Sequence, residues 1–153
     1  MKKQFVLFIA AIFTFAMVSS AYAAKKPECP QPRKTRSAPA SIAKQDKTKT
    51  ADKAKGNELY NKTAKPQACK QCHGGTKDPG GAGAGVGKLS PLYKSPKAPR
   101  NFTCKKTMKK VSAGQMFYII KNGSKINKAM VAHTKLSDKD IWSIIKYIRE
   151  DLM

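Results

Sequence analysis

Apolar and polar positions divide the chain into unlike stretches. Phe5 to Val18 is an apolar run broken only by Thr14. From Lys25 to about Thr50 the residues are mainly Lys, Pro, Ala, Thr and Ser, with Ile42 the only large aliphatic side chain. Such a composition buries too little apolar surface to offset its ordering entropy, which predicts a basic, disordered arm over 24–50. Ala51 to Ala64 holds good helix formers, with Leu59 and Tyr60 on one side and Pro66 as its stop. Gly56 costs such a helix about 1 kcal/mol against Ala, which marks a close approach by another helix. A second helix starts at Ser112, where Ser112 and Gln115 form a capping box, and runs to Asn122-Gly123. A third starts at Ser137, with Asp138 and Asp140 complementing its N-terminal dipole. Its Ile141, Trp142, Ile144, Ile145, Tyr147 and Ile148 recur at helical spacing. Residues 74–88 are glycine at seven of fifteen positions and predict a flexible loop. No alternating stretch predicts a sheet, so the expected class is all-α.

The first apolar run is a leader rather than a membrane span. Lys2 and Lys3 precede it, and small residues ending in Ala21-Tyr22-Ala23 follow it, the layout of a cleaved export signal over 1–23. Its 14 residues fall short of the roughly 20 needed to cross a bilayer, so no stable membrane insertion is expected after cleavage. There is no twin-arginine pair, and Cys29 lies too far from the run to be a lipid attachment site.

The whole chain carries a formal charge of +22, and +20 once Lys2 and Lys3 leave with the leader. That charge calls for a partner with acidic surface, nucleic acid or anionic lipid. Export turns the choice away from nucleic acid and toward an acidic redox partner protein. A mature domain of about 100 ordered, lysine-rich residues also buries little apolar surface alone, so something else must fill its middle.

Cys69-Lys70-Gln71-Cys72-His73 is the C-x-x-C-H signature of covalent haem attachment. Each cysteine adds to one vinyl group of the porphyrin, and the histidine that follows faces the iron as proximal ligand. A zinc ribbon needs a second ligand pair, and a thioredoxin-like site needs a βαβ pattern; the sequence has neither. The glycine loop is not a phosphate loop, because Ala82 stands where glycine is needed and Leu89 where Ser or Thr is needed.

With these motifs in hand, residues 51–153 resemble a class I monohaem cytochrome c domain. In that family a glycine and an aromatic residue precede C-x-x-C-H-G, as Gly56, Tyr60 and Cys69 to Gly74 do here. The family closes with Met, a short spacer, Leu-Ser-Asp and a helix, as in Met130, Leu136-Ser137-Asp138 and Asp140 to Arg149. The resemblance implies a small all-α fold with one haem c and its iron, and first and last helices that cross at Gly56. It implies Pro91 as the residue whose carbonyl accepts from His73, and Met130 as the distal ligand, although Val131 stands where the family has Pro. A thioether ligand stabilises ferrous iron and raises the potential. Met108 and Met116 read as loop and core residues.

Cys104 is the alternative distal ligand, and a thiolate there gives a low-potential or gas-binding haem. His133 is a lesser rival, a lone histidine in a polar loop being more often at the surface. Cys29 and Cys104 also form an even pair in an oxidising compartment, open to a disulfide or to a bridge from Cys29 to a second subunit. The expected function is a periplasmic, non-enzymatic electron carrier, since no acid–base or nucleophile constellation accompanies the motif. Lys70 and Lys88 are the candidates for steering its partner. The other readings are the gas binder and a small haem subunit of a larger redox complex, tethered by its basic arm.

Overall fold

A computed structural model describes residues 29–31, 35–90, 98–126 and 129–153. The expected leader and Pro91 lie outside them. Among the described residues there are six α-helices and no strand: α1 (Ala40–Ala43), α2 (Lys53–Glu58), α3 (Lys70–His73), α4 (Lys105–Met108), α5 (Ala113–Asn122) and α6 (Asp138–Tyr147). Asp52 caps α2 by accepting from Lys55 N at 3.0 Å, and the helix continues as a wider turn over Leu59–Thr63. Ser137 and Asp140 close a full capping box at the start of α6, which runs on through Ile148–Leu152.

The two ends of the domain meet where α2 crosses α6. A Cβ on Gly56 would lie 1.9 Å from Ser143 O, so the two backbones touch there. Asp52 N donates to Ser143 Oγ at 3.2 Å beside the crossing. Around it the stripe read from the sequence is buried. Ile141, Ile144 and Ile145 are 0% exposed, and Trp142 stacks on Phe117 of α5 with ring centroids 4.7 Å apart. Each such side chain contributes about 1.5–3 kcal/mol through burial, which makes α6 the centre of the apolar core. Tyr60 packs on Tyr147 at 5.3 Å and donates from its hydroxyl to Gly74 O at 2.9 Å. The extension of α2 and the end of α6 are thereby tied to the turn after His73.

The glycine-rich loop is a cradle rather than a slack connection. α3 is one turn long, and its carbonyls need donors from elsewhere. Leu89 N, Gly87 N and Gly85 N donate to Gln71 O, Cys72 O and His73 O at 2.7, 3.1 and 2.8 Å. A Cβ on Gly87 would sit 2.3 Å from Lys70 O, so only glycine lets the loop come this near.

Residues 35–50 are likewise not a free arm. They pack on α5 mainly through backbone carbonyls, with Ile42 the large apolar side chain that joins the core, which is why composition did not reveal them. Ser112 Oγ accepts from Gln115 N at 3.1 Å and itself donates to Ala43 O at 2.7 Å. The Gln115 side chain donates to Arg36 O at 3.2 Å instead of closing the expected box. Gly114 completes the seat, since a Cβ there would meet Ile42 O at 1.9 Å. Before this strap, Cys29 is disulfide-bonded to Cys104. That bond consumes both sulfurs, so Cys104 is no thiolate ligand and Cys29 no thiol for a second subunit.

Candidate functional site

Between α3, α5 and α6 lies a cavity of about 440 Å³, within the usual range for cofactor sites. Met116, Ile119, Ile120, Ile144 and Ile148 supply apolar wall. Cys69, Cys72 and His73 line it from α3, and Met130 and His133 from the loop before α6. Cys104 is not among its lining residues, a second reason against ligation by that residue.

His73 is buried and its ring stacks on Phe102, centroids 4.4 Å apart. Its Nδ1 lies 3.0 Å from Arg100 O. A carbonyl only accepts, so Nδ1 carries the proton and Nε2 keeps its lone pair for a metal. Burial pushes the imidazole down to about 4, so it is neutral at pH 7. The acceptor expected at Pro91 is thus supplied by Arg100, on a segment braced by the glycine cradle, where Phe102 N donates to Gly83 O at 2.6 Å.

The two cysteines are free of disulfides. Burial pushes the Cys69 thiol up to about 12 and raises Cys72 as well, the opposite of what a reactive dithiol needs. Two protonated thiols one helical turn apart, a neutral histidine beside them and an apolar cavity in front fit a covalently held haem.

Met130, on the loop before α6, is partly buried against the core, and Ser124 N donates to Met130 O at 2.9 Å. His133 corrects its expected surface position: it is 3% exposed, lines the cavity and bonds through Nδ1 to Lys65 O at 2.8 Å. Nothing in its polar neighbours signalled this, because the partner is a backbone carbonyl 68 residues away. Lys70 and Lys88 are both exposed, on α3 and on the cradle beside it. Among the described residues no helix is long and apolar enough to cross a membrane.

No curated protein matches the chain. The family model described as Cytochrome C oxidase, cbb3-type, subunit III matches residues 51–148, from the start of the domain to the end of the α6 stripe. The chain belongs to that family, and it is a monohaem c-type cytochrome with an all-α fold, a covalently bound haem c and a role in electron transfer.

Proposed function

We propose that the chain is a periplasmic electron carrier in which Cys69 and Cys72 form the thioethers, His73 Nε2 is the proximal ligand and Met130 the distal one. What supports this reading most is one apolar cavity lined by all four side chains, with His73 Nδ1 held on Arg100 O. When bound, the haem supplies a one-electron iron couple. The rest falls to the protein. Arg100 O fixes the His73 tautomer and strengthens its donation to a metal. Met130 offers a soft thioether that favours the ferrous state, and the apolar walls exclude water. The periplasm is supported by the leader expected from the sequence over 1–23, by the disulfide, and by thioether attachment taking place outside the bacterial cytoplasm.

Docking rests on charge. Lys70 and Lys88, exposed beside the attachment turn, steer an acidic redox partner toward the cavity. The family's description favours a second reading, a haem subunit of a larger redox complex. The Cys29–Cys104 disulfide speaks against the form of the gas-binding reading that uses a Cys104 thiolate. Intact mass spectrometry tests the assignment: the mature protein should begin at or near Ala24 and keep one haem through acid-acetone extraction. Haem kept by the Cys69→Ser/Cys72→Ser variant would contradict it. A carrier's electron exchange should slow steeply with salt, because screening acts over about 8–10 Å at physiological ionic strength. A subunit would stay with its complex instead.

A further inference from the structure

The strap, described over residues 29–31 and 35–50, precedes the family match at 51–148, yet its Thr35 and Arg36 line the cavity. Its polar side chains reach two places. Gln31, itself 8% exposed, brackets the segment that holds His73: Gln31 Nε2 donates to Pro99 O at 3.1 Å, and Gln31 Oε1 accepts from Asn101 N at 2.8 Å. The carbonyl between those two contacts is Arg100 O, the acceptor for His73 Nδ1. Thr35 Oγ1 accepts from Arg100 Nη2 at 2.7 Å on the same segment.

Arg36 reaches the end of α5 instead. Its Nη1 donates to Asn122 O and Gly123 O at 3.2 and 3.0 Å, its Nη2 donates to Tyr118 OH at 2.9 Å, and its guanidinium lies 4.6 Å from the centre of the Tyr118 ring. A positive charge at the last carbonyls of α5 is favoured by the helix dipole. Gly123 is packed on the Met130 loop, where its Cβ would lie 2.7 Å from Met130 O, and the next residue, Ser124, donates to that same carbonyl.

We propose that the strap is a clamp across the haem cavity, with Gln31 positioning the His73 side and Arg36 the Met130 side, and the Cys29–Cys104 disulfide as its anchor. The proposal rests on the ligand assignment above. Two separable effects follow. Without Gln31 the Arg100 carbonyl is less fixed, the Nδ1 hydrogen bond weakens, His73 donates less to the iron, and the reduction potential rises. Without Arg36 the loop bearing Met130 detaches more often, and an added ligand displaces Met130 faster.

The experiment uses the mature holoprotein, with ferric imidazole-binding kinetics and the midpoint potential measured well below the melting temperature. Arg36→Ala should speed imidazole entry by about tenfold, the scale of losing hydrogen bonds from a charged group, and Arg36→Lys should recover part of it. Gln31→Ala should raise the potential with less effect on imidazole entry. If Arg36→Ala expresses poorly, Thr35→Val tests the His73 side independently and should shift the potential in the same direction as Gln31→Ala. The clamp is overturned if these variants lower only the melting temperature, or move potential and entry rate together without regard to side. The ligand assignment fails differently: Met130→Ala in an otherwise native chain would then leave imidazole entry unchanged.

Discussion

The α2–α6 crossing and the N-terminal strap both lie next to the haem cavity, to which α6 gives Ile144 and the strap gives Thr35 and Arg36, but unlike forces hold them. At the crossing, buried Ile, Trp and Tyr side chains surround a contact made close by Gly56. The strap from 35 to 50 has few apolar side chains and is held by its backbone carbonyls, by Arg36 and, beyond residues 32–34, by the disulfide and Gln31. One region is fixed mainly by water leaving apolar surface, the other mainly by directed bonds that each contribute about 1 kcal/mol. A domain can thus complete a cofactor cavity with a segment that has no core of its own.

The sharpest way to break the crossing is Gly56→Val. With Ser143 O in the space a Cβ needs, α2 and α6 must separate, at a cost of about 3 kcal/mol or more. Thermal denaturation should show a fall of many degrees, with haem incorporation reduced. A melting temperature like the parent's would mean that the helices do not meet there.

For the strap, the corresponding change is Cys29→Ser/Cys104→Ser. The bond closes a loop over a sequence separation of 75, and losing it should cost about 4 kcal/mol in the chain-entropy picture. The haem spectrum should persist, because neither sulfur ligates iron. A lost or shifted Soret band in the variant would return Cys104 to the ligand set.

What was legible in the sequence divides along the same line. The attachment motif, the α6 stripe and its caps, and Gly56 as a helix contact were readable because each is a local pattern of side chains. The strap, the Arg100 acceptor and the burial of His133 were not, because their partners are backbone carbonyls distant in sequence. Gly114, a glycine in the first turn of a helix, was the one local sign that something packs against α5.

A smaller effect concerns acid. Burial holds the His133 pKa below its ordinary value, so the folded state favours the neutral ring. The unfolded chain then binds more protons, and the stability from this group is present above about pH 6.5 and is lost as pH falls toward the lowered folded value. Urea titrations from pH 7.5 to 5 should show that decline, and His133→Gln should flatten it. An equal slope in both proteins would mean that His133 is exposed after all.

The central claim is that iron sits between His73 and Met130, with His133 as the cavity's other imidazole. Optical spectra of the ferric protein, and of the ferrous protein under carbon monoxide, test it most directly in the parent, Met130→Ala and His133→Ala. Met130 ligation predicts the weak long-wavelength sulfur-to-iron band in the parent and in His133→Ala, little carbon monoxide binding by either, and loss of the band with rapid binding in Met130→Ala. A parent without that band, whose spectrum changes with His133→Ala and not with Met130→Ala, would contradict the account and make this a bis-histidine haem.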